Sequence, residues 1–419
     1  MPSTPSLPEE SSLRPGVHGR SHGSRSEQIV RAATRLFQDT GYRNVGVEQI
    51  GAAVGLTGPA VYRHFPSKHD ILVRALVTQF DLVEGLVTDA ITRGHSPADR
   101  LSRFLDGIGH LSARHDVSTL WRREQHHLQP DESGVLRDSF VRLSDRVSAM
   151  IADTRPEVSP YQAELLGAAV LSVYATTSGM RGPLPPERLI EVQRAVADAI
   201  IACDLPSGPA DGHPAPSDRR RRRPTARRER ILDAAAQLFS ERGFPDVRID
   251  EIARAADISV ATLYQEVSGK TEVLRAVLWR GVDGIMYVST HALDGVSDAD
   301  ALDALIGVFV EYSLGVHGRI MPVFTRDLMY LPEADQARLR AGQLDHRALW
   351  IDAIRFGDTA LSPADANALA QALFGVTGEV IESPRLRARA GIVAEVTALA
   401  RAALAPAGLG RPSPSPSPG

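Results

Sequence analysis

From residue 29 the apolar positions recur with the period of a helix. Ile29, Ala32, Ala33, Leu36 and Phe37 stand at i, i+3, i+4, i+7 and i+8, one stripe along a helix that Gly41 is placed to stop. Val47, Ile50 and Val54 repeat that spacing in a second, shorter helix. A tight break follows at Gly55-Leu56, where glycine tolerates a left-handed backbone. A third short helix is predicted from Thr57, a candidate N-cap, with Val61 and Phe65 turned inward.

The same pattern returns 202 residues later. Residues 25–77 align without a gap on 227–279, with fifteen of 53 positions identical. Ile231, Ala234, Ala235, Leu238 and Phe239 form the first stripe, Gly243 its stop, and Ile249, Ile252 and Ala256 the second helix. Asp257-Ile258 is the break and Ser259 the candidate cap of the third, with Leu263 and Val267 inward. Further on the offset becomes 203: WRREQHHLQPDE (121–132) faces FTRDLMYLPEAD (324–335), and SPYQAELLGAAVLSV (159–173) faces SPADANALAQALFGV (362–376). The chain is one unit of about 180 to 200 residues written twice.

This periodicity divides the 419 residues as follows: an N-terminal arm 1–24, a first head 25–77, a first helical domain 78–204, a linker 205–224, a second head 225–279, a second helical domain 280–405 and a tail 406–419. Arm and tail are poor in core formers and are expected to be disordered. The linker is rich in Pro, Gly, Ser and Arg, and at roughly 3.3 Å per residue its twenty residues reach on the order of 65 Å.

Composition narrows the chemistry. Aromatics are only 5% of the chain, which favours helix packing by Ala, Leu, Val and Ile. The single cysteine, Cys203, excludes an internal disulfide and a cysteine-based zinc cluster. With neither a leader pattern at the start nor a long apolar run, the protein is expected to be soluble and cytoplasmic, away from membranes. The net charge of -4 hides a cluster: Arg219 to Arg230 holds eight arginines and one glutamate, a local +7. The chain has only two lysines, Lys68 and Lys270, and they occupy the same position of the repeat.

Two short helices joined by a tight turn, the second with a small or polar outer face, describe a helix-turn-helix. From Ala32 to Leu72 the run AAxxLFxxxGYxxVxVExIxxxVGLTGPAVYRHFPSKHDIL resembles the N-terminal domain of TetR-family transcriptional regulators, including the Tyr-x-His-Phe-x-x-Lys stretch at Tyr62, His64, Phe65 and Lys68. The second copy keeps Tyr264 and Lys270 but has Glu266 and Val267 in place of His and Phe, and a carboxylate there would repel phosphate.

The resemblance implies an all-α fold: two tandem TetR-like units, each a three-helix helix-turn-helix domain followed by a helical ligand-binding and dimerisation domain. It implies a four-helix dimer interface, for which the candidates are 160–178 with 187–203 and 363–379 with 385–404. Leu189, Val192, Val196 and Ala199 supply the apolar stripe of 187–203.

Candidate DNA contacts follow residue by residue. Thr57, Gly58, Pro59 and Ala60, with Ser259, Val260, Ala261 and Thr262, would let each third helix sit close to base edges. Tyr62 and Lys68, with Tyr264 and Lys270, are expected at phosphates, and His64 is a further candidate DNA contact. Arg63 and Gln265 lie on the outer face, either reading guanine and adenine or solvated. Arg219, Arg220, Arg221, Arg222 and Arg223, with Arg227 and Arg228, are expected to form an arm on the DNA backbone or in the minor groove.

Candidates for lining an effector pocket are Phe104, Trp121, His126 and Phe324. Arg122, Arg123 and His127 share a charged segment with two of these, and adjacent histidines point too far apart on a helix to suggest a metal. No phosphate-binding loop, strand-borne GxGxxG or GxSxG elbow is present, so no enzyme, cofactor or metal is implied.

The reading is a one-component DNA-binding regulator, expected to be a repressor released from its operator by a small apolar or amphipathic effector. Its two units would form either a pseudo-dimer within one chain or a homodimer through like halves. A ligand-binding or protein-interaction module with DNA binding lost in the second half is the alternative.

Overall fold

The computed structural model describes residues 24–114, 119–182, 184–206, 224–406 and 409. All of the expected arm but Ser24, nearly all of the linker including Arg219 to Arg223, and most of the tail lie outside the described residues. Among those described, every regular element is helical.

The first copy runs through α1 (Arg25–Thr40), α2 (Val47–Ala53), α3 (Gly58–Val61), α4 (Lys68–Arg93), α5 (Pro97–Arg114), α6 (Thr119–Glu124), α7 (Pro130–Thr154), α8 (Pro160–Ala175), α9 (Thr177–Arg181) and α10 (Pro186–Ala202). The second runs through α11 (Arg227–Arg242), α12 (Ile249–Ala255), α13 (Val260–Glu266), α14 (Lys270–Leu293), α15 (Ala301–Leu314), α16 (Ile320–Asp327), α17 (Glu333–Gly357), α18 (Pro363–Glu382), α19 (Pro384–Arg387) and α20 (Ile392–Leu404). Ten α-helices thus recur in one order, and the duplication read from 25–77 and 159–173 extends through each whole unit.

The backbone is divided into two compact units, Met1–Ala75 and Leu76–Gly419. In the first, Ile29, Ala33 and Phe37 of α1 are fully buried, as are Ile50, Val61 and Leu72. The periodic stripe of α1 is thus its core face.

The second unit holds two hydrophobic cores. One joins α5, α7, α8 and α10 of the first copy to α15, α17, α18 and α20 of the second. The other is the core of the second head, extended by Val282 of α14, Ile320 and Val323 of α16 and Leu339 of α17.

Within the larger core, α8 packs on α18, and α10 packs on both α18 and α20. Each of α8 and α18 begins with Ser-Pro. Ser159 Oγ accepts from Gln162 N at 3.2 Å and Ser362 Oγ from Asp365 N at 3.1 Å, while proline at the first helical position forfeits no needed donor.

Leu189, Val192 and Val196 of α10 are fully buried as the stripe predicts, but Ala199 is half-buried; Ala197 and Ile200 complete the face instead. The reason is period: a helix of 3.6 residues per turn carries position i+10 off the stripe that i+8 and i+11 follow. The segment expected as one helix over 385–404 is broken at Gly391, whose φ of 85° leaves the helical region, and α20 starts only at Ile392.

Candidate nucleic-acid interface

In both heads the turn between the second and third helices is built by the same backbone pairing. Leu56 N donates to Gly51 O at 2.8 Å and Ile258 N to Ala253 O at 3.0 Å. The residue before each sits left-handed: Gly55 at φ 69° and Asp257 at φ 55°, the latter being the one described non-glycine residue with positive φ. Aspartate is among the few side chains that accept this region.

A Cβ on Gly51 would lie 2.8 Å from Leu56 O, so the first head uses glycine at the floor of the turn. Gly41 and Gly243 stop α1 and α11 at φ 84° and 86°, each N–H donating to the carbonyl of Phe37 or Phe239.

The third helices differ. Ser259 caps α13 by accepting from Thr262 N at 3.0 Å, and α13 spans seven residues. Thr57 has the extended backbone of a cap but makes no side-chain capping bond, and α3 spans only four residues. Pro59, with no N–H, removes one of the donors a capping oxygen would take.

Several candidate contacts present themselves outward. Tyr62 is 51% exposed and Tyr264 53%. Pro59, Arg63, His64, Val260, Ala261 and Gln265 are also exposed; Ala60 and Thr262 are half-buried. Gly58 departs from this face. It is buried, and a Cβ there would meet Glu48 Oε1 of α2 at 3.1 Å.

Lys68 and Lys270, expected at phosphates, also make internal bonds. Lys68 Nζ donates to Tyr42 O at 2.8 Å and Val45 O at 2.9 Å; Lys270 Nζ donates to Phe244 O and Val247 O, both at 2.8 Å. Each ammonium also lies 4.3 Å from the centroid of a ring, Tyr42 or Phe244. Burial pushes the Lys270 amine below its ordinary value. The pair therefore staples the loop between the first two helices to the start of the fourth.

The end of each third helix is held from the first turn of the first. His64 Nδ1 lies 3.4 Å from Ser26 Oγ, and at the matching positions Arg228 donates to Glu266 O at 3.2 Å. Arg228 thus brings a guanidinium beside the residue whose carboxylate departs from the pattern. Arg227, on the same turn, is exposed.

The second head is also gripped from α16. Arg326 donates to the carbonyls of Phe239 and Ser240 at the end of α11, and fully buried Asp327 accepts from Phe244 N at 3.1 Å. Burial raises the Asp327 carboxyl above its ordinary range, against the lowering by Arg326.

Phe104 is fully buried in the larger core, whereas Phe324 packs against the core of the second head. Trp121 is half-buried, edge-on to Phe80 at 5.4 Å. The side chains of Arg122, Arg123 and His126 lie outside the described residues.

What periodicity does not reveal is polar chemistry within the helical domains. Ser112 Oγ donates to Gln193 Oε1 at 3.0 Å and Gln193 Nε2 to Thr177 Oγ1 at 2.7 Å, all three buried in the first domain. In the second, buried His346 accepts from Trp350 Nε1 at 3.4 Å and lies 3.1 Å from Ser289 Oγ, flanked by the rings of Phe309 and Phe374.

The model of the N-terminal domain of bacterial regulatory proteins of the tetR family matches at residues 29–75 and again at 231–277, the two heads just described. The chain belongs to the TetR family, in two tandem units. Among curated relatives, the HTH-type regulator TtgW of Pseudomonas putida is 47% identical over 51 residues, 12% of this chain and 38% of its own. The transcriptional activator FasR of Mycolicibacterium smegmatis is 37% identical over 87 residues, 20% of this chain and 40% of its own.

The chain therefore spans about two fifths of the length of each of these relatives. Among solved structures, the ketosteroid regulator KstR2 of Mycobacterium tuberculosis aligns with 43% of this chain and 95% of its own at 17% identity and a TM-score of 0.38. Both heads carry the TetR-like helix-turn-helix. Among the described residues, no helix is long and apolar enough to cross a membrane.

Proposed function

We propose that the protein is a cytoplasmic regulator in which the two TetR units pair within one chain, set two unlike heads on an asymmetric operator, and release it when a small apolar or amphipathic effector binds a helical domain. It acts as a repressor where that operator overlaps a promoter. One observation carries the reading: α8 and α10 of the first copy pack against α18 and α20 of the second, so the dimerisation helices of each unit are already occupied by those of the other.

An effector that favours one arrangement of the heads shifts the population away from the one that fits the groove spacing. Tyr62, Arg63 and His64 in the first head, and Tyr264, Gln265 and the Arg227-Arg228 turn in the second, are the groups offered to DNA; Arg219 to Arg223 would add backbone contacts.

The test is selection of bound duplexes from a random library, with the mass of the free chain measured alongside. An asymmetric site bound by one chain is expected. A palindrome bound by two chains would refute the pseudo-dimer. Absence of enrichment would favour a module without DNA function, to which Glu266 at the end of α13 gives its main support.

A further inference from the structure

The helices that pair the two copies are not interchangeable. With the 203-residue offset, Ser172 of α8 corresponds to Gly375 of α18, Gln162 to Asp365, Tyr161 to Ala364, and Arg188 of α10 to Gly391. Each of these differences falls where one copy touches the other.

The first is steric. A Cβ built on Gly375 would lie 2.5 Å from Thr176 Cγ2, 2.8 Å from Thr176 Oγ1 and 3.2 Å from Ser172 O. Thr176 cannot swing clear cheaply, because its hydroxyl already donates to Ser172 O at 3.0 Å and both its branches lie against the same spot. Were two first units to pair with each other, Ser172 would stand where Gly375 does, and its Cβ would meet that contact.

The second is electrostatic. Arg188 Nε donates to Asp365 Oδ1 at 2.8 Å, with the aspartate only 8% exposed, and the same guanidinium donates to Leu409 O at 2.9 Å. Burial alone would raise the Asp365 carboxyl; the bonds from Arg188 and Ser362 outweigh it and hold it below the ordinary range. Were two second units to pair, Gly391 would stand where Arg188 does, and the buried carboxylate would lose its counter-charge.

On the other side of the seam Arg389, 5% exposed, pairs with Glu395, donates to Tyr161 O at 2.6 Å and stacks 3.3 Å over the Tyr161 ring. Ala364 would offer it no ring.

We infer that the seam carries a pairing code: Gly375 against Thr176 and Arg188 against Asp365 admit a first unit beside a second and reject either unit beside its own kind. Each like pairing is refused by a different device, a clash for the first units and an uncompensated buried charge for the second. The inference rests on the proposed pairing of unlike halves, and it names the residues that enforce it.

The test uses the full-length chain. Alanine in place of glycine inside a helix ordinarily stabilises, but Gly375→Ala is expected to lower the melting temperature by roughly 5 °C or more, since only a Cβ is added. An unchanged or raised melting temperature would overturn the steric half. For the charges, Arg188→Met, Asp365→Asn and the double variant form a cycle in which asparagine leaves the cap on Ser362 in place.

The double variant is expected to lose little beyond the worse single one; strictly additive losses, or a double variant that does not fold, overturn the electrostatic half. Mass measured in parallel separates the two ideas. A coupled cycle in a chain that weighs as two supports the code and refutes pairing within one chain.

Discussion

The two lysines of the 419-residue chain make matching internal bonds that their place in a motif does not reveal. A lysine in a DNA-binding head suggests phosphate; here the nearest acceptors are carbonyls 23 and 26 positions earlier. That distance in sequence carries no periodic signal, so only the folded chain reveals it. Lys270→Met is accordingly expected to lower the stability of the second head by about 1 to 3 kcal/mol and to leave the salt dependence of DNA binding unchanged. A shallower salt slope with full stability would assign it to phosphate instead.

Arg63 is the contrary case, exposed on the outer face as its place in the motif suggests. Arg63→Ala should alter base preference at one or two positions of a selected site, and an unaltered profile would remove it from readout.

His346 belongs to this scale as well. Burial pushes its pKa down to about 4, with the neighbouring Arg347 acting in the same direction. The unfolded chain takes up the proton nearer the ordinary value of about 6.5, so stability is whole above that pH and is lost as pH falls towards 4. Melting of the second domain should show that slope, and His346→Leu should flatten it.

At the scale of elements, the heads were legible because a helical stripe and a glycine stop are local signals. Ile29 to Phe37 and Ile231 to Phe239 follow the period within single helices, and Gly41 and Gly243 end them. The turn was legible for the same reason, since Gly55 and Asp257 are residue types that enter the left-handed region readily.

The contact of Gly58 with Glu48 was not legible, because a small residue reads alike whatever it yields room to. The paired polar groups around Gln193 and His346 escaped too, their partners lying on other helices. Gly51→Ala should weaken the first head through the contact with Leu56 O, seen as a lower melting temperature and weaker operator binding together. Ala253 already occupies the matching place in the second head, so its turn tolerates the methyl that the first would not.

At the scale of the molecule, repetition was the most legible property and asymmetry the least. An ungapped offset announces two units, yet the larger compact unit takes in the second head and both helical domains, while the first head belongs to the other. Within the larger unit Arg326 and Asp327 bond to the end of α11 and the loop after it, and the second head's core continues into α16.

Affinity for a selected site should fall steeply with salt, since each neutralised phosphate releases counterions. Deleting 219–223 should make that fall shallower by several phosphates' worth, and an unchanged slope would leave the five arginines without a DNA role.

The seam between α8 and α18 also bears on dosage. A regulator assembled from two separate chains must first find its partner, so at low abundance its active form grows with the square of the amount made. With both halves of the seam on one chain, the proposed pairing predicts that occupancy of an operator grows in simple proportion to the amount made, which a titration of expression against reporter output would check.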